Sequence, residues 1–165
     1  MDEKALQAMS DRLQVEDVIL KYASSIDFKD YPTLRSTLAD DVVAQYGPAE
    51  PIKGGDTLAA WIEEMGEDRL WQHHLLNVYH VDVDGDEARA LVYHTSHSAS
   101  VTEPDDVLVI VARYKDTLRR IDGSWRIADK RMELCWMETR HFSQSAASEA
   151  EKIQANAARE RAESA

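Results

Sequence analysis

The stretch Leu70–Tyr93, LWQHHLLNVYHVDVDGDEARALVY, decides how this chain is built. Apolar and polar residues alternate from Trp71 to Val83, stop at Asp-Gly-Asp, and resume at Glu87. Alternation with period two is the mark of a strand with one covered face, and a DG pair between two such runs marks a hairpin. The pattern continues downstream. Strands are expected at about 72–83, 87–101, 107–120 and 124–137, joined at 84–86, at TEPDD and at Asp122-Gly123.

Upstream the period becomes helical. Leu6, Met9, Leu13, Val15, Val18, Ile19, Tyr22 and Ile26 recur at helix spacing, and Ser10-Asp11 reads as a cap at a break. YPTLRSTLA is a second short helix with Pro32 in its first turn, and DDVVAQY a first strand. GPAEPIKGG is a loop, and DTLAAWIEEMGE a third helix with Asp56 as N-cap and Gly66 near its end. Helices first and a meander afterwards predict an α+β fold: a strongly bent antiparallel sheet enclosing a pocket, with the N-terminal helices on its concave face. One domain over 1–142 is expected. The segment 143–165, rich in Ala, Glu and Arg, is read as a helical or disordered tail.

The 165 residues carry a formal net charge of −12, which argues against nucleic acid and anionic membrane surfaces as partners. No apolar run approaches the ~20 residues of a membrane span. The single cysteine, Cys135, excludes an intrachain disulfide and is expected as a small buried hydrophobe, so the chain is expected in the cytoplasm. His94 and His97 have opposite strand parity and no accompanying cysteine, so no metal site is expected. KGGDT lacks the form of a phosphate loop.

Parity then sorts the titratable residues. His73 shares a face with Leu75, Asn77, Tyr79, Val81 and Val83, and His74 with Leu76, Val78, His80 and Asp82. Counting back from the β-branched pair Val81 and Val83 puts His73 inside and His74 outside. The second set, Leu76 and Val78 with Leu91 or Val92, becomes the face covered in a homo-oligomer. Asp27 follows Ile26 where the first helix must end, and Tyr22 lies five positions before it, on nearly the same side. A carboxylate bonded to one imidazole nitrogen fixes the tautomer and leaves the other as a base, which is the case for pairing Asp27 with His73. In the last strand Arg131 shares parity with Trp125 and Ile127 and is expected to project inward.

These residues carry a resemblance. VILKYASSIDFKDYPTLRSTLADDV, HHLLNVYHVDVDGDEARALVY and ARYKDTLRRIDGSWRIADKR resemble, in order and over roughly 13–137, the SnoaL-like branch of the nuclear-transport-factor-2-like superfamily. The resemblance implies a cone-like α+β barrel. It also implies similarity to cofactor-independent lyases such as scytalone dehydratase, bile acid 7α-dehydratase and hexachlorocyclohexane dehydrochlorinase, in which an Asp–His dyad works without metal or organic cofactor. Carried onto this chain, the catalytic residues are His73, Asp27, Tyr22 and Arg131. Tyr46, Trp61, Asn77, Tyr93 and Trp136 are candidates for contact with an apolar, ring-bearing small molecule. The expected reaction is a base-catalysed elimination (dehydration, dehydrohalogenation or retro-aldol deformylation), in a homo-oligomer with a trimer favoured over a dimer. The superfamily also holds isomerases, hydrolases and non-catalytic binding or assembly subunits, and fold alone does not choose among them.

Overall fold

The computed structural model describes residues 2–141; the tail at 143–165 lies outside them. The elements in chain order are α1 (Glu3–Asp27), α2 (Tyr31–Ser36), β1 (Leu38–Tyr46), β2 (Ile52–Lys53), α3 (Gly55–Gly66), β3 (Arg69–Asp84), β4 (Glu87–Ser100), β5 (Asp106–Ile121) and β6 (Ser124–His141). They form one open sheet of six strands in the order β2-β1-β6-β5-β4-β3 with the helices beside it. The α+β reading holds, and the sheet is mixed. The meander β3 to β6 is antiparallel, but β1 returns parallel to β6, because α3 and the long meander intervene between them.

Both hairpin signals act as their turn chemistry requires. Asp122 and Gly123 have φ of 51° and 79°, the two left-handed residues that a tight I′ turn needs between Ile121 and Ser124. Helix α1 is continuous where a break was expected. Asp11 is buried in it rather than capping a new start: its carboxylate takes the Arg120 guanidinium at 2.7 Å and the Gln7 amide at 2.9 Å. At α3 the N-cap is Gly54, and Asp56 instead binds Arg35 at 2.5 Å.

The backbone of α1 runs close to β3 on one side and β6 on the other, and stands further from β4 and β5 between them. The gap is a curved interior. Val15, Ile19, Leu34, Leu38, Val42, Leu58, Val92, Leu118 and Ile127 fill one end completely. The other end is left open.

Four β-bulges shape the long strands. Leu70 and Tyr79 are extra residues in β3, and Ala128 and Cys135 in β6. Each inserts one residue, bends the strand, and exchanges the two faces beyond it. Val81 and Val83 therefore share the inner face with Leu76 and Val78, not with His73. Likewise Ile127 and Lys130 face inward, and Arg131 does not. Cys135, expected to be buried, sits at a bulge and is exposed. Leu76, Val78 and Val92 belong to the core, so the outer face is covered by other residues than expected: Leu75, Tyr79, Tyr93 and Trp136 are the large apolar groups there. No helix among the described residues is long and apolar enough to cross a membrane.

The Asp11–Arg120 contact offers a direct test of the continuous helix. Asp11→Ala leaves a guanidinium that keeps Asp86 at 3.0 Å and the Trp125 ring at 4.4 Å. The expected loss is about 1–3 kcal/mol, read as a lower urea midpoint at unchanged slope. An unchanged midpoint would mean that Asp11 contributes nothing there.

Candidate active site

The C-terminal corner of α1 sets the first functional group. The helix ends in a Schellman arrangement: Asp30 N–H bonds the Ser25 carbonyl at 2.8 Å and Lys29 N–H the Ile26 carbonyl at 3.1 Å. Lys29 takes the left-handed conformation, φ 55°, that this corner demands and that glycine would adopt more easily. The turn aims Asp27 at β3. There the Gln72 side-chain amide donates to the Ile26 carbonyl at 2.7 Å, tying helix end to strand.

Asp27 is clamped to His74. One carboxylate oxygen accepts the His74 backbone N–H at 2.9 Å, and the other meets the imidazole Nδ1 at 2.5 Å. With Nδ1–H committed to the carboxylate, Nε2 is left as the acceptor. His73, the expected partner, points to the outer face, where it lies against His97 with ring centroids 6.4 Å apart. The bulge at Tyr79 is the reason, since the parity count from Val81 and Val83 crosses it. Asn77, Tyr93 and Trp136 are also exposed on the outer face and line no part of the interior cavity. Arg131 is exposed too, bonded to Asp129 at 2.9 Å and Gln45 at 3.3 Å; the Ala128 bulge turned it out.

The open end of the interior holds a cavity of about 220 Å³. His74, Tyr22, Tyr46 and Trp61 line it, as do His94, Ser96 and Tyr114 and an apolar wall that includes Ile26, Ile62, Leu108, Ile110 and Met132. Tyr22 and Tyr46 bring their hydroxyls within 2.6 Å, and Tyr46 stacks on Trp61 at 5.1 Å. Three of the expected contacts, Tyr22, Tyr46 and Trp61, are thus brought together with Asp27 and His74.

Two parts of this interior were not anticipated. His94 is 3% exposed, and neither ring nitrogen has a hydrogen-bond partner among the described residues. Its ring stacks between His74 at 5.3 Å and Tyr114 at 4.9 Å. Burial, with the neighbouring His74 and Lys130, pulls its pKa down to about 3, so it is neutral at ordinary pH. The second part is Lys130, fully buried opposite Asp116 at 2.9 Å and set over the Tyr22 and Tyr114 rings at 4.5 and 3.8 Å. Burial raises the Asp116 carboxyl and lowers the Lys130 ammonium, and also pushes Tyr22, Tyr46 and Tyr114 above the usual phenol range. The tyrosines therefore remain hydroxyl donors. His94 was readable, because β4 has no bulge and Ala88, Ala90 and Val92 share its parity. Lys130 was not, since a strand lysine reads as solvent-facing. Among the described residues no three His, Cys, Asp or Glu side chains converge as a metal-binding group.

The comparisons agree with this architecture. The profile of the SnoaL-like domain matches residues 7–131. Uncharacterized protein Rv2910c of Mycobacterium tuberculosis is 24% identical over 131 residues, covering 79% of this chain and 89% of that protein. A scytalone dehydratase-like protein from Novosphingobium aromaticivorans superposes with a TM-score of 0.74 at 18% identity, over 84% of this chain and 93% of that one. The hexachlorocyclohexane dehydrochlorinase LinA-type3 from Novosphingobium barchaimii LL02 gives 0.74 at 16% identity, over 85% and 99%. At such identities the structural likeness speaks for the fold alone. With the profile spanning most of its length, the chain belongs to the SnoaL-like domain family, of nuclear-transport-factor-2-like fold.

Proposed function

We propose that the protein is a cofactor-independent lyase acting on an apolar, ring-bearing small molecule, with His74 as base and Asp27 as its orienting carboxylate. The observation that carries this reading is the Asp27–His74 clamp at the wall of an aromatic-lined cavity. In the proposed step His74 Nε2 takes a proton from carbon. The electron pair of that C–H bond forms the alkene, and the β-substituent leaves with a proton supplied from the Tyr22–Tyr46 hydroxyl pair. For a hydroxyl leaving group the products are alkene and water, and the proton gained by His74 returns to the tyrosine pair through solvent. His94, neutral and with no hydrogen-bond partner among the described residues, supplies a further N–H to the departing oxygen.

The same parts serve loss of halide, and fission of a carbon–carbon bond when a hydroxyl is deprotonated instead. Arg131 has no role in this scheme. We further propose a homotrimer that covers the outer aromatic surface at Tyr79, Tyr93 and Trp136. The exposed, unpaired Cys135 suits a reducing cytoplasm.

Incubation with ring-bearing secondary alcohols and halides, followed by mass spectrometry for loss of water or hydrogen halide, tests the reaction. His74→Ala and Asp27→Asn should each lower turnover by about 10²–10⁴-fold with the fold retained, whereas His73→Ala leaves it within about twofold. Equal losses at His73 and His74 would remove the assignment of the base.

His94 gives a pH test that needs no substrate. Its pKa is near 6.5 unfolded and about 3 folded, so above pH 6.5 both states are neutral and stability is flat. As pH falls from 6.5 towards 3, the unfolded chain takes up a proton that the folded one refuses. Stability then drops by at most about 1.4 kcal/mol per pH unit. His94→Gln should flatten this part of the slope in urea titrations between pH 7 and pH 4. The same slope in variant and wild type would show that His94 titrates normally.

A further inference from the structure

The row of side chains leading from the dyad to the opening contains one residue that the scheme above does not use. The bulge at Leu70 turns Arg69 to the inner face, opposite Ser100. Strand β3 therefore presents Arg69, Gln72 and His74 along the cavity, and β4 presents Ser98, Ser96 and His94 beside them. Burial falls along the row: His94 and Ser96 are buried, whereas Ser98, Gln72 and Arg69 are half-buried. The opening lies at the Arg69 end.

Arg69 is the one cationic side chain that lines this cavity among the described residues, in a chain of net charge −12. Its side chain is 22% exposed, and its contact with the Asp68 carboxylate is 3.7 Å, beyond hydrogen-bond length. Lys29 donates to the Arg69 carbonyl at 3.1 Å and brings a second positive charge to the same rim. Asp27 is already committed to His74 through both oxygens. A half-buried guanidinium that faces a cavity, with the adjacent Asp68 carboxylate held off at 3.7 Å, has donors to spare for a planar anion, which its fork binds bidentately.

We propose that Arg69, with the Ser98 hydroxyl beside it, receives a carboxylate at the open end of the substrate, so that the substrate class is a ring-bearing carboxylic acid. The ring would lie against the Tyr46–Trp61 stack and the apolar wall, its far oxygen at the Tyr22–Tyr46 pair. The register puts the Arg69 level two inner-face steps beyond His74, roughly 13 Å at the usual strand rise. A guanidinium folded back along the row then meets a carboxylate about one ring and a short side chain from the base. The assignment of the reacting end rests on the lyase reading; binding at Arg69 does not.

Calorimetry on the full chain with 4-hydroxycinnamate and its neutral amide, 4-hydroxycinnamamide, tests this at low ionic strength. The wild type should favour the carboxylate at least tenfold. Arg69→Met should bring the ratio within twofold while the amide binds as before. Arg89→Met, which removes the same charge from the outer face, should leave the ratio intact. Equal affinity of the wild type for both probes, binding of neither, or a preference that survives Arg69→Met overturns the proposal. If the preference stands and no acid is ever eliminated, Arg69 keeps its role and the lyase reading is the one that fails.

Discussion

Neighbouring strands of a strongly curved sheet cannot all alternate strictly and stay in register, so some of them insert residues. Here β3 and β6 solve this with two bulges each, while β4 and β5 between them contribute the regular partners. The bulges do more than bend the sheet. By changing phase they place His74 and Lys130 inside and expel His73 and Arg131. On those two strands the side chains that face the cavity and those that face solvent are sorted by the inserted residues.

That is also why the fold was legible in the sequence and part of the site was not. The hairpin at Asp122-Gly123 is fixed by local backbone chemistry, and the helical stripe of α1 by its buried face. Both can be read without knowing anything distant. Asp27, Tyr22 and Trp61 sit on helices, and Tyr46 follows Val42 and Ala44 in parity beyond the register shift of β1, so their inward placement needs no count across a bulge. His73, Asn77 and Arg131 were misplaced because parity was carried across bulges that no glycine or proline announces, at Tyr79 and Ala128. Tyr93 and Trp136 were chosen as aromatics without a count of parity, and they face outward. A bulge of this kind is decided by curvature, a property of the whole sheet. The sign that was available lay in β4, where His94 continues the row Ala88, Ala90, Val92 without interruption. Its register partner face on β3 then has to include Leu76 and Val78, and with them His74.

The interior so formed separates charge from hydroxyl. Lys130 and Asp116 oppose each other on neighbouring strands with no exposure, and the tyrosine rings flank the ammonium. A pair this deep is poor as a source of stability, since desolvation offsets most of its attraction. It sets a paired lysine, not a free cation, against the Tyr22 and Tyr114 rings. The same burial keeps the phenols protonated and His94 uncharged. The cavity thus offers neutral donors above a buried pair whose charges offset each other.

The dyad itself sits where helix formation alone would not put a carboxylate. Asp27 is the last residue of a 25-residue helix whose final turn has no basic side chain. The carbonyl end of a helix carries partial negative charge, so an aspartate there is disfavoured by roughly 0.3–1 kcal/mol. The two bonds from His74 and the Gln72 tether to the Ile26 carbonyl offset that cost. The arrangement has a consequence for the base. In the proposed step His74 becomes an imidazolium facing both a carboxylate and the negative end of α1, so the charge it would take up meets groups already in position. A residue that is unfavourable for the helix in the resting state would be favourable for the protonated state that the proposed reaction requires.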